Sequence, residues 1–351
     1  MSRYWSKGAD IKSGSVHITE FERVFVKELQ LQMPSDCVLV NSTWFSLPEN
    51  VEDMKQWLSP MIDTDGPFHP KVLLYSGMDW ENETCVDTAR QAHLWLRKHF
   101  QVIDIGNTGK GHYFSFWMSF IHKHLDTFFD PCYTEIPRIR KYFMCLNHQP
   151  HAHRIQLLNL FHRIGWFEKA FISAVIPHEE YDFPNPVILK ENRDPRIMEK
   201  AMPWEIVNEN HLANDIISLG DPIYWNSHFC TVITESVLHS DVFLSEKTFK
   251  PMIGLRPFII YGDVGINAKL KELGFDTFED LFPLSHRTDF NIPSDRHMFI
   301  KDDLLNLMNK YTIEDLEELY HSLEDRLMHN RKRVLEVINE NYTAITEISK
   351  L

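Results

Sequence analysis

The chain has 351 residues, more than one hydrophobic core usually serves, so two domains or one large one are expected. With 43% hydrophobic and 13% aromatic residues it is too apolar for disorder, and no apolar run reaches the ~18 residues of a transmembrane segment. A formal charge of −14 argues against nucleic acid as the main partner, although a local positive pocket can still hold a small anion.

The opening stretch MSRYWSKGADIKSGS has basic residues but no apolar run behind them. No secretory signal is expected, and a soluble, cytoplasmic protein follows. Five cysteines stand singly, without a CxxC pair, which argues against a disulfide framework and a zinc knuckle. Asn41-Ser-Thr, Asn82-Glu-Thr and Asn341-Tyr-Thr match the glycosylation pattern, which carries little weight without a secretory signal.

Short apolar runs alternate with amphipathic segments, the signature of an α/β protein with parallel sheets. CVLV (37–40), KVLLYSG (71–77) and QVIDIGN (101–107) read as strands, with helices over 83–100 and 114–129. The prolines and turn formers of DPCYTEIPRIR (130–140) place a domain boundary there. A second series begins with strand KYFMCLN (141–147), helix 151–165 and strand AFISAVI (170–176), followed by a proline-rich stretch and a helix near 204–218. Strand HFCTVITE (228–235), helix EKTFKPMIG (246–254), strand PFIIYG (257–262) and helix INAKLKELG (266–274) complete it. From Thr312 the pattern is helical with dense i,i+4 charges, and its apolar stripe suits a terminal helix packed across the domains. The expected domains are 1–138, 139–311 and a helical segment 312–351.

In open parallel sheets, ligands bind outside the carboxyl ends of strands. Three ends carry chemistry here: Asn147, with His153 and Arg154 entering the next helix; Glu235; and the start SEKT, where Ser245 reads as an N-cap before Glu246 and Lys247. A helix start offers unsatisfied N–H groups and partial positive charge, so Lys247 there suits a diphosphate, while the carboxylate of Glu246 suits a neighbouring ribose diol. The plainer alternative is that Glu246 only favours the helix start and Lys247 is a surface residue.

Taken together, VITESVLHSDVFLSEKTFKPMIGLRPFIIYGD and FMCLNHQPHAHRIQLLNLF resemble the signature of the α-1,3-fucosyltransferases and related nucleotide-sugar glycosyltransferases. Glu235, Ser245, Glu246, Lys247 and Pro257 hold the places of one motif, and Asn147 and Arg154 those of the other. The resemblance covers roughly residues 140 to 280. It implies a GT-B architecture of two Rossmann-like domains facing a cleft, the second binding a GDP- or UDP-linked sugar donor and the first a glycan or other hydroxyl acceptor. Arg154 and Lys247 would then contact the diphosphate and Glu246 the ribose. The segment after Glu235, SVLHSD, lacks the Asn usual in fucosyltransferases, which leaves the donor sugar open.

Transfer from such a donor, expected to be inverting, builds negative charge on the departing diphosphate, which Arg, Lys and a helix start can stabilise without a metal. No Asp-x-Asp metal motif is evident, and neither a cofactor nor a metal is expected. The acceptor hydroxyl needs a general base. YSGMDWENE offers Asp79 and Glu81 as catalytic candidates, with Glu83 beside them, against the plainer reading of each as an ordinary loop or helix-cap acid. The competing class is a non-catalytic nucleotide- or glycan-binding protein on the same scaffold. HQPHAH (148–153) lacks the carboxylate or Cys that would complete a metal set, so His153 reads as a pocket or cap residue. NTGKGHY lacks the spacing of a phosphate loop, and FSFWMSF reads as core.

Overall fold

The computed structural model describes residues 4–5, 37–42, 45, 48–62, 71–76, 83–106, 112–113, 115–135, 138–147, 151–173, 218–236, 238, 242–287 and 293–348. The protein is α/β, and the described strands form two sheets in which every described pair is parallel, compatible with a Rossmann-like fold. It divides into two compact units. The first is Met1–Phe120 with His239–Phe243 and Val337–Leu351; the second is Ile121–Leu238 with Leu244–Glu336.

In the first unit, β1 (Tyr4–Trp5), β2 (Cys37–Asn41), β3 (Lys71–Ser76), β4 (Gln101–Gly106) and β5 (His112–Tyr113) pair in sequential order. Val38, Val40, Val72 and Leu74 alternate onto one face and pack with Val51, Met54 and Leu58 of α1 (Pro48–Ile62) and with Ala92 and Leu96 of α2 (Glu83–His99). Leu39 and Leu73 on the opposite face are buried as well, which is why these strands read as unbroken apolar runs. Helix α1 has no counterpart among the sequence expectations, because Val51, Met54 and Leu58 form a narrow stripe in a polar segment that also contains Pro60.

The helix expected over 114–129 breaks at His124 into α3 (Phe116–Lys123) and α4 (Leu125–Phe128). Its end and the following 3-10 turn, Pro131–Thr134, belong to the second unit rather than the first. Hydrogen bonds explain this: Tyr133 Oη donates to the Gly220 carbonyl at 2.5 Å, and Asn226 Nδ2 donates to that of Cys132 at 2.8 Å. The division therefore lies at Phe120 and Ile121, upstream of the prolines that suggest 138. The sequence from Thr312 is likewise not a segment apart. Its residues to Glu336 belong to the second unit and those from Val337 to the first.

The second sheet is built from β6 (Lys141–Leu146), β7 (Ala170–Ser173), β8 (His228–Thr234) and β9 (Phe258–Tyr261), in the order β7-β6-β8-β9. Helix α5 (Ala152–Arg163) follows β6 and stops where Gly165 takes φ +74°, a left-handed conformation that glycine adopts without strain. Asp221 caps the short α6 (Pro222–Trp225) by accepting from the Ile223 amide. Helix α7 (Glu246–Ile253) follows β8 and closes with the Arg256 amide donating back to the Pro251 carbonyl at 2.8 Å. At its end Gly254 lies so near Trp225 that a Cβ there would stand 2.7 Å from the indole. Helices α8 (Ile266–Glu272), α9 (Pro293–Lys310), α10 (Ile313–Ser322) and α11 (Glu324–Ile348) complete the described elements. Arg326 of α11 is held by the carboxylates of Asp276 and Asp280, an anchor more specific than the solvated i,i+4 pairs expected of this segment.

The helix expected near 204–218 lies almost wholly outside the described residues, as does the continuation of β7 past Ser173. No described helix is long and apolar enough to cross a membrane. Asn41 and Asn341 are 0% and 4% exposed, and the Asn341 side chain bonds Ser115 and Ser119, so neither presents its amide for glycosylation.

Candidate functional site

Strand β6 is flanked by β7 on one side and β8 on the other, so the described strand order reverses between β6 and β8. Such a switch point opens a crevice at the carboxyl ends of the two strands, because the connections leave in opposite directions. Asn147 and Glu235 follow those two strands directly, and the helices after them begin with His153 and Arg154 on α5 and with Ser245, Glu246 and Lys247 at α7.

Asn147 is 3% exposed, and its groups bind the sheet together. Its Oδ1 accepts from Thr234 Oγ1 at 2.7 Å, its backbone N–H donates to Ser173 Oγ at 3.0 Å, and its Nδ2 donates to the Ser173 carbonyl at 3.3 Å. One side chain thus ties the ends of β6, β7 and β8 together. Ser173 and Thr234 are absent from the sequence-based site, although Thr234 is a polar residue ending an apolar strand and Ser173 a polar residue within an apolar run.

Glu235 is fully buried, and its carboxylate is committed to the start of α7. It accepts from the Ser245 amide at 3.1 Å, the Ser245 hydroxyl at 2.6 Å and the Thr248 hydroxyl at 2.5 Å. Ser245 Oγ in turn caps the helix by accepting from the Lys247 amide at 3.2 Å, as the N-cap reading expects. Glu235 therefore positions the helix start by spending its lone pairs on it.

Arg154 is 2% exposed and donates from Nη2 to the Thr234 carbonyl at 2.8 Å. Burial lowers its pKa to about 10, against the opposing pull of Glu235, Cys145 and Glu246, so the guanidinium is charged at neutral pH. His153 donates from Nε2 to the Glu235 carbonyl at 2.9 Å and meets the Tyr261 ring edge-on, with centroids 5.3 Å apart. The His151 ring is stacked with it at a centroid distance of 5.8 Å, 7° from parallel.

The Glu246 side chain is 6% exposed and that of Lys247 29%; Lys247 Nζ lies 3.0 Å from Glu246 Oε1. Among the described residues Glu246 Oε2 is buried without a hydrogen-bond partner. Burial raises the pKa of this carboxyl, but the charges of Lys247 and Lys250 and the hydrogen bonds from Lys247 and its own amide outweigh burial and hold it below the ordinary value. The result is a buried anion with one open acceptor, beside a half-exposed ammonium.

Asn147, His153, Arg154, Glu235, Ser245, Glu246 and Lys247 are thus gathered at the ends of β6 and β8 by these bonds. Asp79 and Glu81 lie outside the described residues. Sequence reasoning passes over Tyr261, which ends β9 against His153, and Arg296 of α9, whose charge acts on Tyr261. Among the described residues no group of three or more His, Cys, Asp or Glu is arranged to hold a metal ion. A shallow hollow of about 480 Å³ is lined by other residues, among them Lys271, Thr277 and Arg326, and its aspartates are occupied by Arg326.

Chemically, the gathered groups can bind an anion through Arg154, Lys247 and two helix starts, with a carboxylate oxygen available to a hydroxyl donor alongside. No protein-family model, curated protein or solved structure matches the chain.

Proposed function

We propose that the protein is a nucleotide-sugar glycosyltransferase of the GT-B type, inverting and metal-independent, that transfers a sugar from a GDP- or UDP-linked donor to a glycan or other hydroxyl acceptor. One observation carries the reading: Arg154, Lys247 and the buried Glu246, with its unpartnered Oε2, converge at the switch point of a parallel sheet. A diphosphate beside a ribose is a ligand with the matching order of charges and hydroxyls. In this reading Arg154 and Lys247 hold the diphosphate and oppose the charge that grows on it as the sugar leaves, while Glu246 accepts from the ribose diol. Asn147, Ser245 and Glu235 hold the strand ends and the helix start in place. The general base comes from elsewhere in the chain, with Asp79 and Glu81 the nominated candidates.

The test is titration with UDP- and GDP-linked sugars by calorimetry, followed by assay of nucleoside diphosphate release with a panel of hydroxyl acceptors in EDTA. Binding with acceptor-dependent release is expected. Binding without release across the panel would identify a non-catalytic nucleotide-binding protein. Failure of every nucleotide sugar to bind would remove the reading altogether, and loss of release in EDTA that added metal restores would remove its metal independence.

A further inference from the structure

Resting on the reading of this crevice as a nucleotide-sugar site, we propose that Ser236 is a further ligand-binding residue, whose hydroxyl donates to the diphosphate of the donor and brings the charge of the buried Arg154 to bear on it. The first support is placement. Ser236 follows Glu235 beyond the carboxyl end of β8, and Glu235 touches the starts of both flanking helices. Its carboxylate holds Ser245 at the start of α7, and its carbonyl accepts from His153 Nε2 at the start of α5 at 2.9 Å. One peptide step of ~3.8 Å separates the Cα atoms of Glu235 and Ser236, so Ser236 stands beside both helix starts. Thr234, Glu235 and Arg154 are 1%, 0% and 2% exposed, whereas Ser236 is partly exposed, so an anion approaching Arg154 from solvent meets this residue.

The second support is hydrogen-bond chemistry. Arg154 Nη2 donates to the Thr234 carbonyl at 2.8 Å and to Ser236 Oγ at 3.4 Å. An oxygen that accepts from a guanidinium points its own proton elsewhere, and among the described residues no acceptor takes that proton. Polarised by the charge behind it, the hydroxyl is a stronger donor toward an anion. The 3.4 Å bond is long, which leaves Oγ room to move onto a ligand oxygen. Neighbouring hydroxyls are committed: Thr234 donates to Asn147 Oδ1, and Ser245 and Thr248 donate to Glu235. Independently, Glu246 Oε2 marks the crevice as a ligand site, an acceptor that has no partner among the described residues on a side chain only 6% exposed. No proton is transferred and no covalent bond changes.

Calorimetry with UDP, GDP and the parent nucleosides uridine and guanosine tests this. In Ser236→Ala the affinity for UDP or GDP, whichever the wild type binds, should fall about tenfold, while that for its nucleoside stays within about twofold. Ser236→Thr keeps a hydroxyl and should hold the diphosphate within about threefold of wild type. Both variants should keep the wild-type urea midpoint, because Ser236 is partly exposed and Arg154 keeps its bond to the Thr234 carbonyl. Undiminished diphosphate affinity in Ser236→Ala overturns the proposal. Equal losses for diphosphate and nucleoside also overturn it, because they mark a residue that only shapes the crevice. If neither UDP nor GDP binds the wild type, the nucleotide-sugar reading fails and this inference fails with it, an outcome distinct from binding that Ser236→Ala leaves unchanged.

Discussion

Glu235→Gln should destabilise the protein by about 3 kcal/mol, a large effect for a nearly isosteric change. The carboxylate is 0% exposed and accepts three hydrogen bonds, from the Ser245 amide, the Ser245 hydroxyl and the Thr248 hydroxyl. An amide oxygen at Oε1 can still accept from the Ser245 amide and Thr248, but without the charge that makes such bonds worth roughly 1.5–3 kcal/mol each. At Oε2 an NH2 group would face Ser245 Oγ, which already accepts from the Lys247 amide and now donates to Glu235. One of those bonds must be lost. The change also removes the carboxylate that most strongly opposes the cost of burying Arg154. Partial retention of the Oε1 bonds keeps the total below the sum, hence ~3 kcal/mol within a range of 2–5. Urea unfolding followed by circular dichroism should give a lower midpoint with an unchanged slope. Lys332→Ala provides the control: its side chain is 78% exposed and 3.5 Å from Glu336, so a change under about 0.5 kcal/mol is expected. A Glu235→Gln loss below about 1 kcal/mol would refute the argument that this carboxylate holds the start of α7.

The adjacent charges of α7 should fail differently: Lys247→Ala weakens nucleotide diphosphates far more than nucleosides, while Glu246→Gln costs about 1–3 kcal/mol for a ribonucleotide and much less for its 2′-deoxy analogue. Calorimetry checks both, and equal losses for the two sugars in folded Glu246→Gln would contradict the ribose assignment. Burial holds the His228 imidazole down to about 3, with Arg256 adding to the shift. The unfolded chain therefore takes up that proton first, and stability should fall as pH drops from about 6.5 toward 3, by at most ~1.4 kcal/mol per pH unit. Urea midpoints at successive pH values should follow that slope, and His228→Gln should flatten it. Gly254→Ala places a methyl 2.7 Å from Trp225 Cε3 and 3.0 Å from Leu219 Cδ1, so a loss of about 1–3 kcal/mol is expected in thermal melts.

The class of fold was legible in the chain because strands buried on both faces need continuous apolar runs, and CVLV, KVLLY and HFCTVIT have few other uses. The start of α7 was legible for a local reason too, since Ser245 meets the amide of Lys247 only two residues away. Local signals ended there. Two-residue strands such as β1 and β5 have no pattern of their own, and α9 was missed along with the narrow stripe of α1. The boundary inferred from prolines moved because a hydrogen bond from Tyr133 spans 87 residues to Gly220.

At the candidate site, residue type marked the place but not the task. Glu235 and Asn147 stand out in the sequence as polar ends of apolar strands, and that pattern fits a ligand contact and an internal brace equally well. Only the order β7-β6-β8-β9 brings Ser173 and Thr234, 26 and 87 residues distant, within reach of Asn147, and only tertiary structure sets Ser245 and Thr248, 10 and 13 residues on, against the Glu235 carboxylate. A hydrogen-bond acceptor serves whichever donor the tertiary structure brings within about 3 Å, and sequence spacing alone does not specify that donor.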